Sequence, residues 1–276
     1  YYDNYVSIMN IANKSIISSL RDVVSFPQGQ EINVHNLSSG NLTAGDNWIF
    51  GCRAYDGDDY SSWMNSSALS VLLGPSFDFS ITTTGNSETF SFWVDDPVNL
   101  QISWESGNIT TYNGASQLVS HSYATAGDYN VSVRGQASRI SFYEGTPTLL
   151  MDILTPMSDG VTGITSAESM FRGAVNITTF TAEDFFDEVS SNVTDMSYMF
   201  FGATNFNQNL SNWDTSSVTD MIVVFASATN FNGNISNWNT SSVTRMENMF
   251  DSATNFNQDI ENWDISNVTH MSYMFY

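Results

Sequence analysis

Val193-Thr-Asp-Met196, Val218-Thr-Asp-Met221, Val243-Thr-Arg-Met246 and Val268-Thr-His-Met271 are one phrase written four times at a step of 25 residues. Phe200, Phe225, Phe250 and Phe275 keep the step, as do Trp213, Trp238 and Trp263. So do the triplets Asn205-Phe206-Asn207, Asn230-Phe231-Asn232 and Asn255-Phe256-Asn257. Columns that share one period require a repeat architecture. A unit this short cannot bury its apolar side alone, whereas stacked units lay like against like. Within a unit, Val193, Met196, Met199 and Phe200 follow the spacing of one face of a short helix or 3₁₀ turn. The segment from Phe206 through Leu210 to Trp213 reads as an extended stretch closed by a turn. The Met and Phe columns are expected in the core. The Asn column is expected to form a ladder that satisfies buried backbone groups, with a ligand-binding ladder as the sharper alternative. Ser169-Met170-Phe171 and Phe180 to Phe186 read as a longer, degenerate first repeat acting as an N-terminal cap. Residues 149–276 are therefore expected to form a leucine-rich-type α/β solenoid.

Upstream the period changes. Phe77, Phe79 and Ile81 alternate, then Phe90, Phe92 and Val94, then Val98, Leu100 and Ile102. Tyr129, Val131 and Val133 follow, and Ile140 with Phe142. Short alternating strands separated by turn residues predict a β-sandwich over 75–148. Residues 1–74 also read as β, with Trp48, Phe50 and Cys52 alternating and Asp56-Gly57 as a hairpin signal. Ala68 to Leu73 forms a last strand, and Ile8 to Arg21 suits strand or helix equally. The fold class expected is mainly β: two tandem Ig-like sandwiches followed by the solenoid.

Composition narrows the function. Seven Lys+Arg against 29 Asp+Glu give a formal charge of −22, which repels nucleic-acid phosphates and anionic lipid. Only 13% of residues are charged, against a usual ~25%. Ser, Thr and Asn supply the polar surface instead, which suits an extracellular or cell-surface protein. No apolar run reaches the ~18–20 residues that span a bilayer, so no membrane insertion is expected. The single cysteine, Cys52, makes no intrachain disulfide and reads as a buried free thiol, with an intermolecular bridge or reactive thiol as the alternative.

His121-Ser-Tyr-Ala-Thr-Ala-Gly-Asp-Tyr-Asn-Val-Ser-Val133 resembles the closing strands of polycystic-kidney-disease-type (PKD) sandwich domains. In that family a tyrosine and a Gly turn set up a hairpin that ends in alternating Val. Trp104-Glu-Ser-Gly107 stands where the family carries an acidic Trp-x-Phe-Gly-Asp-Gly turn, so a metal site is not carried over. Val193-Thr-Asp-Met-Ser-Tyr-Met-Phe200, Asn205-Phe-Asn-Gln208 and Asn212-Trp-Asp-Thr215 resemble the surface repeats of BspA-like leucine-rich proteins, where a sandwich followed by such repeats is a known pairing. Residues 22–74 are more loosely similar to immunoglobulin-like or fibronectin-like modules of microbial surface proteins. The resemblance implies adhesion or structure outside the cell and no known catalysis.

The residues themselves point the same way. His35, His121 and His270 fall in three different modules without a nucleophile or metal partner. No phosphate loop or paired-Cys metal pattern occurs. Glu183-Asp184 and Asp187-Glu188 could mimic the two carboxylates of a glycosidase, but read more simply as a solvated face. Asp56-Gly-Asp-Asp59 is a candidate Ca²⁺ turn that lacks EF-hand spacing; no other cofactor is expected. N-glycosylation sequons occur at Asn13, Asn36, Asn41, Asn65, Asn108, Asn130, Asn176, Asn192, Asn209, Asn234, Asn239 and Asn267.

The first module is short for a sandwich of ~100 residues, and the last repeat stops at Phe275-Tyr276 without a polar capping unit. Either the chain belongs to a longer parent, or each subunit completes its neighbour. In the second case Tyr1, Tyr2, Tyr5, Val6 and Ile8 would supply a donated strand, and Met271, Met274 and Phe275 would form an exposed last layer. The function expected is a non-enzymatic extracellular structural protein, a stalk or filament subunit assembling head-to-tail with copies of itself. The alternative is an adhesin whose repeat face binds a glycan or protein through Tyr198, Tyr273 and Trp213.

Overall fold

The computed structural model describes residues 76–105, 108–182, 184–186 and 190–276, and the backbone course of five earlier strands: β1 Asn4–Asn10, β2 Ser15–Asp22, β3 Asn47–Arg53, β4 Met64–Asn65 and β5 Leu69–Ser70. The chain divides into two compact units, 1–74 and 75–276. In the first, the five strands form one antiparallel sheet ordered β2-β1-β3-β4, with β5 also paired to β3. The described parts of the ambiguous Ile8–Arg21 stretch, residues 8–10 and 15–21, are strand: β1 pairs β2 with Val6 opposite Leu20, and β3 on its other side with Val6 opposite Cys52.

The second unit begins with the sandwich. Its larger sheet contains β6 Phe77–Thr83, β8 Val98–Glu105, β9 Asn108–Tyr112, β11 Gly127–Gln136 and β13 Leu150–Ile153, in the order β13-β6-β11-β8-β9. A short strand, β14 Val161–Thr162, pairs parallel with β11. The smaller sheet is β10 Gln117–Tyr123, β7 Glu88–Asp95 and β12 Arg139–Ser141, in the order β10-β7-β12. Period-2 patterning turns Phe77, Phe79, Ile81, Phe90, Phe92 and Val94 inward, all fully buried. Phe79 meets Phe92 and Phe142 edge-on at 5.7 and 5.1 Å, and Tyr123 donates its hydroxyl to the Trp104 carbonyl at 3.2 Å. Two expectations are corrected. Val98 is 48% exposed, because the left-handed residue Asn99 (φ 47°) interrupts the alternation. The His121–Val133 motif is also not a hairpin. Its first half, β10, pairs β7, whereas its second half, β11, pairs β6 and β8 in the other sheet. The short link between them is an arch across the sandwich.

After β14 the chain runs in stacked coils. Parallel bridges join Ser166 to Asp195, 29 residues on, and then Asp195 to Asp220, Arg245 and His270 at the 25-residue step, so the first coil is the longer one. Each junction carries four backbone bonds from alternate residues. Met221, Val223, Phe225 and Ser227 donate to the carbonyls of Arg245, Glu247, Met249 and Asp251 at 2.7–2.9 Å. Thr219, Thr244 and Thr269 donate backward, each to the carbonyl of the preceding Thr, at 2.9 Å.

Of the short helix or 3₁₀ turn expected at Val193–Phe200, the structure keeps only i→i−3 turns: residues 191–276 contain turns and bridges but no helix. Tyr198, Val223, Asn248 and Tyr273 all have φ between 53° and 60°, which interrupts every candidate helix at the same place. The alternating backbone turns the amides of every second residue toward the next coil, while the amides between them close i→i−3 turns, as Met199 does to Met196, Phe201 to Tyr198 and Ala203 to Phe200.

The Phe column as far as Phe250, and the Trp column, are core, as their spacing indicates. Phe200, Phe225, Phe250 and Phe275 stack at 5.4–5.7 Å and within 9° of parallel. Trp213, Trp238 and Trp263 stack at 6.3 and 6.2 Å. The top of the stack is closed by the sandwich. Phe142 lies 5.8 Å from Phe171 and donates its amide to Met170, Thr165 donates to Ser138, and Met157 donates to Phe185. One apolar core therefore runs from the sandwich into the last coils.

Candidate functional site

The last layer differs from those above it. Val218, Met221, Phe225 and Phe231 are fully buried in their coil. Two coils on, Met271 is 37% and Phe275 61% exposed, beside Tyr273 and Tyr276. Thr215 and Thr240 are buried and donate their hydroxyls to the next coil at 3.0 Å. Ile265 takes that place in the last coil and is 52% exposed. The amides of Met271, Tyr273 and Phe275 have no acceptor among the described residues. The layer is thus apolar, with the exposed side chains of Ile265, Met271, Tyr273 and Phe275. Met274, expected on it, is buried and its carbonyl accepts from Phe250. Of the candidates for a donated strand, Tyr5, Val6 and Ile8 lie in β1, which is paired on both sides within its own sheet; Tyr1 and Tyr2 lie outside the described residues.

The aromatic contacts expected of an adhesin separate. Trp213 is 4% exposed and belongs to the core, while Tyr273 is 65% exposed. Tyr198 is half-buried beside Arg172, whose guanidinium carbon lies 3.9 Å from the Tyr143 ring centre, 5.1 Å from Tyr198 and 5.0 Å from Phe201. That cluster has no sequence signal, because its three segments meet only when the sandwich caps the first coil.

The Asn ladder exists, but on the outside. Asn230 and Asn255 donate their amides to Asn205 and Asn230, and Asn207 and Asn232 accept from the backbone of Asn232 and Asn257. Asn205, Asn207, Asn230 and Asn255 are exposed, so the ladder ties surface loops rather than buried groups.

Of the sequons, Asn130, Asn176, Asn192, Asn209, Asn239 and Asn267 are exposed, and Asn108 and Asn234 half-exposed. Asn65 lies in β4, and Asn13, Asn36 and Asn41 lie outside the described residues. Part of the sequon pattern has a second physical cause. Asn209, Asn234 and Asp259 share a column, and each accepts from the amide two residues on at 2.9–3.0 Å. Asp214, Asn239 and Asp264 do likewise. The turn needs one side-chain acceptor, which either residue supplies.

The charged groups are spread along the unit. Arg139 holds Asp95 at 2.6 Å and Glu144 at 3.0 Å, with Glu168 at 3.7 Å. Burial pushes the Asp95 carboxyl up, but hydrogen bonds from Arg139, Ser116 and Trp93 outweigh it and leave it below its ordinary range. Burial raises Glu168, and Asp220 as well, the latter despite Arg245 at 3.0 Å. His121 stacks on Trp104 and lies 3.4 Å from Glu105, and His270 pairs with its neighbour Thr269. Among the described residues no three His, Cys, Asp or Glu converge as metal ligands. The Asp56–Asp59 turn and Glu183, Asp187 and Glu188 lie outside those residues, and Asp184 is exposed.

With this geometry in view, two families match. Residues 78–140 match the PKD domain. The sandwich is of the PKD type. Downstream of the PKD-type sandwich, residues 165–276, which cover all the coils, match a family described as Mycoplasma protein of unknown function, DUF285. No curated protein and no solved structure matches the chain. Among the described residues no helix is long and apolar enough to cross a membrane.

Proposed function

We propose that the chain is a non-enzymatic structural protein at a cell surface or outside the cell, a stalk or filament subunit whose coils keep a rigid, load-bearing body. The observation that carries this reading is the unbroken core from the PKD-type sandwich into the last coils, joined at every layer by four backbone bonds. Such a body resists shear between layers, because displacing one coil breaks a whole row of bonds together. The Ser-, Thr- and Asn-rich surface and the PKD-type sandwich support the extracellular placement, and the repeat text supports kinship with BspA-like leucine-rich surface proteins. In this reading copies assemble head-to-tail, with the apolar layer of Ile265, Met271, Tyr273 and Phe275 as the candidate face.

Sedimentation and negative-stain imaging of the chain across a concentration series test the assembly. Concentration-dependent linear oligomers that disappear in Phe275→Asp are expected. Monodisperse monomers at every concentration would reject it. The adhesin alternative retains one observation in its favour, the exposed Tyr273.

A further inference from the structure

Arg172 differs from two other arginines of the second unit, Arg139 and Arg245. In a chain of 29 acids and seven Lys+Arg, Arg139 is held by three carboxylates and Arg245 by two. Arg172 makes no ion pair and no side-chain hydrogen bond among the described residues, and its Nε is buried without a partner. Its neighbours are instead aromatic. Tyr143 comes from the turn after β12, and Tyr198 and Phe201 come from the second coil. Ring faces hold a guanidinium in place without using its N–H groups; the buried Nε is out of a ligand's reach, and the terminal N–H groups are the fork left unspent.

The ligand chemistry follows from the two halves of the cluster. A guanidinium fork matches a carboxylate through two parallel hydrogen bonds. The chain's −22 charge repels anions in general, so an anion retained here needs a second, uncharged contact. Tyr143 provides it: one ring face is taken by Arg172, yet the side chain remains 42% exposed. A part-exposed tyrosine suits the apolar C–H face and hydroxyls of a pyranose. We infer that Arg172, Tyr143 and Tyr198 form a subsite for a carboxylate-bearing saccharide, with the carboxylate on the guanidinium and the sugar ring on Tyr143. The site lies where the sandwich joins the coils and is independent of whether the last layer assembles.

Calorimetric titration of the full chain with sialyllactose, with lactose and with a capped Asp-Glu dipeptide tests it. Saturable binding of sialyllactose is expected with Kd on the order of 1 mM. Lactose and the dipeptide should bind at least about tenfold more weakly, since each lacks one of the two contacts. Arg172→Met should abolish binding and Tyr143→Ala should weaken it, with near-UV circular dichroism verifying the fold. Arg172→Lys, which keeps the charge and the ring contact but loses the fork, should also bind about tenfold more weakly. No saturable binding, equal binding of lactose or the dipeptide, or binding that survives in folded Arg172→Met would overturn the assignment.

Discussion

Truncating one residue type along one column separates stacking from mere hydrophobicity. Phe225 is fully buried, with Phe200 and Phe250 on either side at 5.5 and 5.7 Å and Phe231 against it at 3.9 Å. Phe275 is chemically identical and occupies the same place in its coil, but it stacks on Phe250 from one side and is 61% exposed. Emptying a fully packed aromatic site costs about 3–5 kcal/mol, and each lost ring pair adds roughly 0.5–1.5 kcal/mol. Phe225→Ala is therefore expected near the top of that range, about 5 kcal/mol. Phe275→Ala forfeits only the buried minority of one side chain, about 1 kcal/mol or less. Because a stacked array loosens layer by layer, a single melting temperature is a poor readout. Hydrogen exchange resolved by peptide is the appropriate assay. In Phe225→Ala, protection should fall first in 221–276 while the sandwich strands from 77 to 142 keep theirs. In Phe275→Ala, only peptides after 263 should change. Equal costs for the two variants, or loss of protection that begins in the sandwich, would refute the argument that layer-on-layer burial holds this unit together.

Three further outcomes follow from the coil geometry. Ser227 and Ser252 sit at φ 57° where earlier coils place Gly173 and Gly202, so Ser227→Gly and Ser252→Gly should each raise thermal stability by about 0.5–1 kcal/mol. Thr215→Val and Thr240→Val, which leave a carbonyl of the next coil unpaired, should each cost about 1–2 kcal/mol in denaturant titrations. For pH, burial raises Asp220 and Glu168, so the folded state binds protons more readily there than the unfolded chain. Their contribution is complete below the unfolded pKa and is lost as pH rises through the folded one. Hydrogen bonds from Ser216 and Ser266 lower Asp214 and Asp264, whose contribution has the opposite sign and is lost as pH falls through their folded pKa. Stability should therefore pass through a maximum at mildly acidic pH, and Asp220→Asn should reduce its decline toward neutrality; a monotonic rise through pH 7 in wild type would contradict this.

The amino-acid sequence by itself determined the repeat, its 25-residue step, the core columns and the alternating strands from Phe77 to Phe142, but not β9, β13 or β14. Each of these is a regularity of side-chain type against position, and burial imposes such a regularity directly on the chain. Tertiary structure alone decided how the backbone answers that pattern. The i, i+3, i+7 spacing that suggests a helix at Val193–Phe200 is met by turns, because the left-handed Tyr198 and its equivalents send amides to the next layer. The His121–Val133 phrase carries the alternation of two strands but not the identity of the sheet each joins, since pairing partners lie tens of residues away. The Arg172 cluster was illegible for the same reason. Its residues come from the turn after β12 and two successive coils, and only the packing of sandwich on stack brings them within 5.1 Å of one guanidinium.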